Sequence, residues 1–418
     1  MNKKKKLIPE IRFPEFLYKG KWEIKTVEEI CDVFRGSTFS KSDINEDGIE
    51  LCIHYGELFT KYKEVITKIY SRTNEQNGFR SEIGDVLMPS SDVTPDGLAR
   101  ASAIMINDVV LGGDMNILRP KTEINSIFLS YLLNHSKREI IKLVSGTTVK
   151  HIYASQIMTC ELLIPKDELE QQEIADCLSS LDDLITGHTN KLETLIDHKK
   201  GLLQNLFPKK GQKVPDYRFP EFENDGDWEE KSLGKVAEFS KGKGISKSDI
   251  VENGKLPCIR YGELYTHYKE TIENIKSSTN LDASDLVLSE INDVIIPASG
   301  ETQIDIATAS CVLKEGVALG GDLNIIKTEI NGVFLAYYLN NAKKKAIAQI
   351  AQGVSVVHLY SSQLKTLRVN IPKPKEQQKV ASCLSAVDEL IGSQEKKIEQ
   401  LQQHKKGLMQ GLFPKIEN

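Results

Sequence analysis

At 418 residues, with 40% hydrophobic and 27% charged side chains, the chain has an ordinary globular composition and is long enough for two or three cored domains. A formal net charge of −5 gives no whole-molecule attraction for nucleic acid, so any basic binding surface must be local or supplied by a partner. No apolar run approaches the roughly 20 residues that cross a bilayer, and the cysteines show no metal-ligand spacing, so a cytoplasmic protein is expected.

In chain order, Met1-Asn-Lys-Lys-Lys-Lys6 is basic with no apolar segment behind it, which reads as a solvated start to an N-terminal tail over 1–19. Pro9-Glu-Ile-Arg-Phe-Pro-Glu-Phe16 then recurs as Pro215-Asp-Tyr-Arg-Phe-Pro-Glu-Phe222, and Trp22 recurs as Trp228, a shift of 206 positions. The same offset relates Ser40-Lys-Ser-Asp-Ile44 to Ser246-Lys-Ser-Asp-Ile250, and Tyr55-Gly-Glu-Leu58 to Tyr261-Gly-Glu-Leu264. Leu111-Gly-Gly-Asp-Met-Asn-Ile117 and Leu319-Gly-Gly-Asp-Leu-Asn-Ile325 differ by 208, and His151-Ile-Tyr-Ala-Ser-Gln156 and His358-Leu-Tyr-Ser-Ser-Gln363 by 207. An offset that wanders by two residues indicates one fold written twice with small loop differences.

Within each repeat, short strand-like runs such as Asp85–Pro89 and Cys160–Ile164, matched by Asp293–Pro297 and Leu367–Ile371, alternate with Gly/Asp/Asn punctuation. Ile127–Leu133 and Val333–Leu339 carry helical patterns. The expected fold is α+β (mixed α/β), with globular domains over 20–165 and 227–371. Pro165 and Pro372 close these domains, and a linker over 209–226 separates the repeats.

Spacers over 166–208 and 372–414 follow the two domains. Ile174–Phe207 and Val380–Phe413 place apolar residues at steps of four and three, the period of a helix that buries a narrow seam. From Ile174 to Leu206 such a helix measures about 48 Å. Each copy is the natural partner of the other, giving an antiparallel coiled coil. Its seam carries polar residues at His188, Lys199, Gln394 and Lys405, read either as register-setting positions or as slack near Gly187 and Gly201.

Phosphate-binding, dinucleotide, hydrolase, amino-methyltransferase, nuclease and metal motifs are all missing, which points to binding rather than catalysis, with no metal site expected. Two similar domains on matched helices suit a two-part ligand of approximate two-fold symmetry. Duplex DNA, with half-sites roughly 34–36 Å apart, is such a ligand. Base-reading residues are sought where the repeats differ inside matched loops: His54 against Arg260, Lys61 against His267, Asp92 against Gly300, Val93 against Glu301, and Lys150 against Val357. The shared pairs Tyr55/Tyr261, Lys63/Lys269, Ser91/Ser299 and His151/His358 are assigned to phosphate contact or scaffold. Gly112, Gly113, Gly320 and Gly321 read as tight turns in preference to a phosphate cradle.

The order of these motifs resembles the specificity subunit of Type I restriction–modification enzymes over nearly the whole chain. The resemblance also rests on Gly146-Thr-Thr-Val-Lys-His-Ile-Tyr153 and Gly353-Val-Ser-Val-Val-His-Leu-Tyr360, on Glu170-Gln-Gln172 and Glu376-Gln-Gln378, and on the His198-Lys-Lys-Gly-Leu202 and His404-Lys-Lys-Gly-Leu408 tracts. It implies two target-recognition domains, each reading half of a bipartite double-stranded DNA sequence, and helices that set the gap and dock two methyltransferase subunits. S-adenosylmethionine, ATP and Mg²⁺ would then belong to partner modification and restriction subunits, leaving this chain without cofactor or catalytic centre. A methylation-only bipartite system, a single-chain enzyme and a coiled-coil scaffold that binds no DNA are the rival readings.

Overall fold

The computed structural model describes residues 7–37, 39–353 and 356–414. The basic stretch Met1–Lys6, and Val354 and Ser355 within the second His-containing motif, lie outside the described residues. The chain divides into two compact units, one formed by residues 1–190 with 396–418 and the other by residues 191–395.

In the first unit, a five-stranded sheet runs in the order Cys31–Arg35, Met115–Pro120, Val86–Pro89, Ser102–Ile104, Val65–Ile66. A four-stranded sheet runs Ser71–Thr73, Glu50–Ile53, Val110–Leu111, Phe79–Arg80. Val86-Leu-Met-Pro89 is buried throughout because it is covered on both faces. Alternation sends Val86 and Met88 into a cluster with Trp22, Phe128 and Leu129, while Leu87 joins Ile53, Leu111 and Ile117.

The second unit repeats both sheets strand for strand. The five-stranded sheet is Ala237–Lys241, Leu323–Thr328, Val294–Pro297, Ser310–Val312, Thr271–Ile272, and the smaller one is Ser277–Thr279, Leu256–Ile259, Ala318–Leu319, Val287–Leu288. Val294 and Ile296 again take one face and Ile295 the other. Each anticipated strand and short helix of the globular domains lies within a residue or two of its expected place.

Helix Ser126–His135 is capped by Asn125, whose side chain accepts the Phe128 N–H at 2.9 Å; Asn331 does the same for Phe334. These asparagines also explain the Glu-Gln-Gln motifs. Gln171 accepts the Asn125 N–H at 2.9 Å, Gln172 accepts its side-chain amide at 2.7 Å, and Gln377 and Gln378 repeat both bonds at 2.9 Å. Glu170 takes a two-pronged ion pair from Arg12, 2.7 Å on each arm, and the Trp22 indole N–H at 3.1 Å. Arg218, Trp228 and Glu376 form the same triad. Charged pairs this enclosed are strong because both groups are otherwise cut off from water. The segment 7–19 is therefore anchored at several points: Arg12 pairs with Glu170, Phe16 is buried, and the Ile11 N–H bonds Gly411 O at 2.9 Å.

The long helices are Glu168–Asn205 and Pro374–Leu412, 38 and 39 residues or about 57 and 58 Å. The first begins six residues earlier than the apolar period announces, since polar Glu170 and Gln171 are buried against the domain in place of apolar side chains. Both run unbroken through their glycines, and a Cβ at Gly187 or Gly201 would meet nothing within 4 Å. In the first unit Leu181 and Ile185 pack with Leu401, while Leu178 shares a cluster with Leu412 and Phe413, an antiparallel arrangement. In the second, Val380 and Leu384 share a cluster with Leu206 and Phe207. Each Leu-Phe pair at a helix end thus completes the core of the other repeat's domain: Phe413 lies 6.4 Å from Trp22, and Phe207 lies 5.8 Å from Phe334.

The seam lysines are keystones. Lys405 Nζ lies 2.7 Å from both Asp182 carboxylate oxygens and 3.0 Å from Glu64, and 5.2 Å above the Tyr131 ring. The Tyr131 hydroxyl donates to Asp182 at 2.5 Å. Lys199, Asp388, Glu270 and Tyr337 repeat the cluster, with Lys199 2.8 Å from Asp388 and 3.4 Å from Glu270. Burial first, and the neighbouring aspartate second, push both tyrosine hydroxyls well above their ordinary pKa, so they stay protonated donors. Lys199 and Lys405 therefore set register.

Candidate nucleic-acid interface

The Tyr-Gly-Glu-Leu segments build one wall of the candidate surface. Strand Glu50–Ile53 ends at His54, and the chain turns into the single-turn helix Glu57–Thr60. Buried Glu57 reaches back: one oxygen accepts the His54 N–H at 2.9 Å, and the other takes the Ser71 hydroxyl and, at 2.7 Å, the Lys61 ammonium. Glu263 holds the Arg260 N–H, also at 2.9 Å, and the Ser277 hydroxyl. The same backbone frame thus presents His54 and Tyr55 in one repeat, Arg260 and Tyr261 in the other. The His54 ring lies 4.5 Å from Tyr55, and its Nδ1 accepts the Gly56 N–H at 3.1 Å, which assigns the ring proton to Nε2. Burial lowers the His54 pKa and favours this neutral form, against a smaller opposing pull from Glu57. Phe59 and Tyr265 extend the wall, 6.2 Å from Tyr55 and 6.5 Å from Tyr261.

A two-stranded ladder forms the second wall. Ser91 pairs with His151 and Asp92 with Lys150; Ser299 pairs with His358 and Gly300 with Val357. The two walls touch through Gly97, where a Cβ would fall 1.8 Å from Asp92 Oδ2 and 3.0 Å from Phe59, so only glycine fits. His151 stacks on Tyr153 at 5.9 Å, and His358 on Tyr360 at 6.1 Å. Tyr153 and Tyr360 are 54% and 45% exposed, which leaves an aromatic face open to solvent in each repeat. Lys241 sits 6.0 Å from the Tyr360 ring. Burial raises the Tyr265 pKa, helped by the charges of Tyr261, Glu301 and Asp305.

The structure thus gathers His54, Tyr55, Asp92, Lys150 and His151 in one repeat; in the other, Arg260 and Tyr261 lie on the first wall and His358 on the ladder. Other candidates are placed differently. Ser91 and Ser299 are buried, and Gly300 is buried without a side chain, so these three support the ladder. Asp92 accepts the Val93 N–H and the Thr94 hydroxyl, both at 2.7 Å, and Lys150 Nζ donates to Gly146 O at 2.8 Å. Lys61 is tied to Glu57 and Ser71, while His267 is exposed at the end of its short helix. Lys63 and Lys269 lie against the long helices, 3.3 Å from Thr186 and 3.9 Å from Glu395. The glycine pairs are turns: the Gly112 and Gly320 amides bond Ile53 O and Ile259 O at 2.9 Å, so neither is free for phosphate. Phe59/Tyr265 and Tyr153/Tyr360 escaped the sequence reading. Their signal was an aromatic at matched positions of both repeats, legible only once the ladder joins distant loops.

Two copies of one α+β domain, each with an aromatic and polar loop surface and each completed by the end of the other copy's helix, define a double-module protein. The chain belongs to the Type I restriction modification DNA specificity domain family, whose profile matches residues 19–196 and 225–403. It is 28% identical over 410 residues to the putative type I restriction enzyme MjaX specificity subunit of Methanocaldococcus jannaschii, covering 94% of this chain and 92% of that protein. The MjaVIII specificity subunit of the same organism is 25% identical over the same coverage. A crystal structure of a Type I restriction-modification system S subunit from M. genitalium shares the fold, with a TM-score of 0.66 at 16% identity, over 98% of this chain and all of that one. No described helix is long and apolar enough to cross a membrane.

Proposed function

We propose that each domain reads one half of a bipartite double-stranded DNA target through its two-walled loop surface. The long helices set the gap between the half-sites and dock two methyltransferase subunits, and ATP-dependent restriction subunits join that assembly. Catalysis belongs to those partners: S-adenosylmethionine, ATP and Mg²⁺ bind there, and this chain supplies sequence choice, in the cytoplasm. One observation carries the reading. The same backbone frame in the two repeats presents different side chains, His54 in one and Arg260 in the other, as a pair of readers for related but unequal half-sites would. Within each domain, stacked His–Tyr pairs and nearby lysines supply the contacts that position a duplex.

The test is modified-base sequencing of DNA from cells that express the chain with its methyltransferase partner. A methylated motif of two short, related, oppositely oriented elements around an unspecified gap is expected. Two unrelated half-sites would remove the near-palindrome, and a continuous motif would overturn the two-reader assignment.

A further inference from the structure

We propose that Arg260 is the guanine-reading side chain of the second domain, with His54 occupying the same socket as a single-donor reader in the first. The inference rests on the DNA-reading function proposed above and assigns chemistry to one position within it.

The socket is equivalent in the two repeats. Each residue directly follows a strand, each is followed by Tyr-Gly-Glu-Leu, and each backbone N–H is held by the next glutamate at 2.9 Å. Only the side chain changes. His54 is used internally, since its Nδ1 is consumed by the Gly56 N–H and its ring packs on Tyr55. A neutral ring in that state has one outward donor, Nε2–H.

Arg260 is held differently. Its stem runs beside the Gly-Gly turn, where a Cβ at Gly320 would lie 3.7 Å from Arg260 Cγ. Among the described residues, Arg260 Nε is the one buried side-chain nitrogen or oxygen without a hydrogen-bond partner. No described carboxylate pairs with its guanidinium either, whereas Arg12, Arg80, Arg119 and Arg218 are all paired. An arginine partly out of water and unneutralised is poised for an incoming acceptor.

The major-groove edge of guanine offers two acceptors, O6 and N7, spaced for a guanidinium. A single imidazole donor is satisfied by one acceptor, which guanine, adenine and thymine all provide. The second half-site therefore demands guanine at a position where the first tolerates several bases. This difference breaks an otherwise near-palindromic target.

The experiment expresses the full chain with its methyltransferase partner and maps methylated motifs for wild type, Arg260→His and His54→Arg. Each substitution installs a side chain that the other repeat already accommodates in this frame. Arg260→His is expected to relax one guanine of the second half-site by roughly 5- to 150-fold and leave the first half-site alone. His54→Arg is expected to impose guanine at the matching position of the first. An unchanged second half-site in Arg260→His, or equal weakening on all sequences as for a phosphate contact, overturns the assignment. A bipartite wild-type motif with Arg260→His unaltered defeats only this inference; a wild-type motif that is not bipartite defeats the underlying function as well.

Discussion

Replacing Lys405 by methionine keeps the aliphatic stem and removes the charge, so it isolates the keystone. The substitution leaves Asp182 and Glu64, whose side chains are only 16% and 21% exposed, facing one another without a cation. Removing one partner of a fully buried ion pair costs about 3–5 kcal/mol. Partial exposure and solvent screening reduce that here to about 2–3 kcal/mol. Lys405 follows the second domain in the chain, yet the cost falls on the first. The two tryptophans make this measurable, because each is 2% exposed and sits in a different unit. Urea unfolding followed by fluorescence in a Trp228→Phe background reports the first unit; a Trp22→Phe background reports the second. Lys405→Met is expected to lower the Trp22 transition and spare that of Trp228, and Lys199→Met to do the reverse. Equal effects on both probes, or a change under about 0.5 kcal/mol, would refute the keystone argument.

Three further outcomes are expected. Phe413, 1% exposed and packed on Trp22 and Phe128, should cost the first unit about 3–5 kcal/mol when cut to alanine; a loss confined to the Trp228 signal would contradict the crossed packing. Inserting four residues into the middle of one long helix adds about 6 Å, or about two base pairs, so the methylated motif should change its gap and keep its half-sites; altered half-sites would sink the spacing role. The third concerns pH. Burial holds the His54 pKa below its ordinary 6.5, so below that value the unfolded chain binds more protons than the folded one. Its share of stability is complete above about pH 6.5, is lost as pH falls through that value, and levels off below the folded pKa. His54→Gln should flatten that part of the stability–pH curve, and an unaltered curve would show that the imidazole is not responsible.

Much of the fold was legible because duplication turns weak local signals into paired ones. The strands at Val86–Pro89 and Val294–Pro297 and the helices around Phe128 and Phe334 were readable from periodicity, and a matching copy ruled out accident. The start of the long helix was not. Glu168–Glu173 is polar, and its helical state depends on tertiary bonds to Arg12, Trp22 and Asn125 that no local pattern reveals. Lys199 and Lys405 stood out as defects in an apolar seam, but their partners lie 189 and 223 positions away, so period alone could not tell key from slack. The candidate surface was half legible. Differences between matched loops nominated His54/Arg260 and Val93/Glu301, but also Gly300, which has no side chain to offer. Lys63 and Lys269 were read as phosphate contact or scaffold because both repeats share them, and they lie against the long helices.

The two classes of residue divide along a physical line. Arg12, Trp22, Glu170, Tyr131, Asp182 and Lys405 have identical counterparts 206 positions away, Lys405 pairing in this sense with Lys199, and all of them are buried or enclosed within charged networks. Any change there strands a charge or opens a core, costs of a few kcal/mol that a domain of ordinary stability tolerates poorly. His54 and Arg260 sit instead on a frame whose bonds are made by their own backbone N–H groups with Glu57 or Glu263, so the side chain at that position can change without breaking the frame. The crossing of the helix ends adds a constraint. Because each domain is completed by the other repeat's Leu-Phe terminus, drift in one helix end would unseat the opposite domain, which ties the two scaffolds to one another while leaving their loops independent. A chain built this way can alter what one domain reads without disturbing how either domain is held.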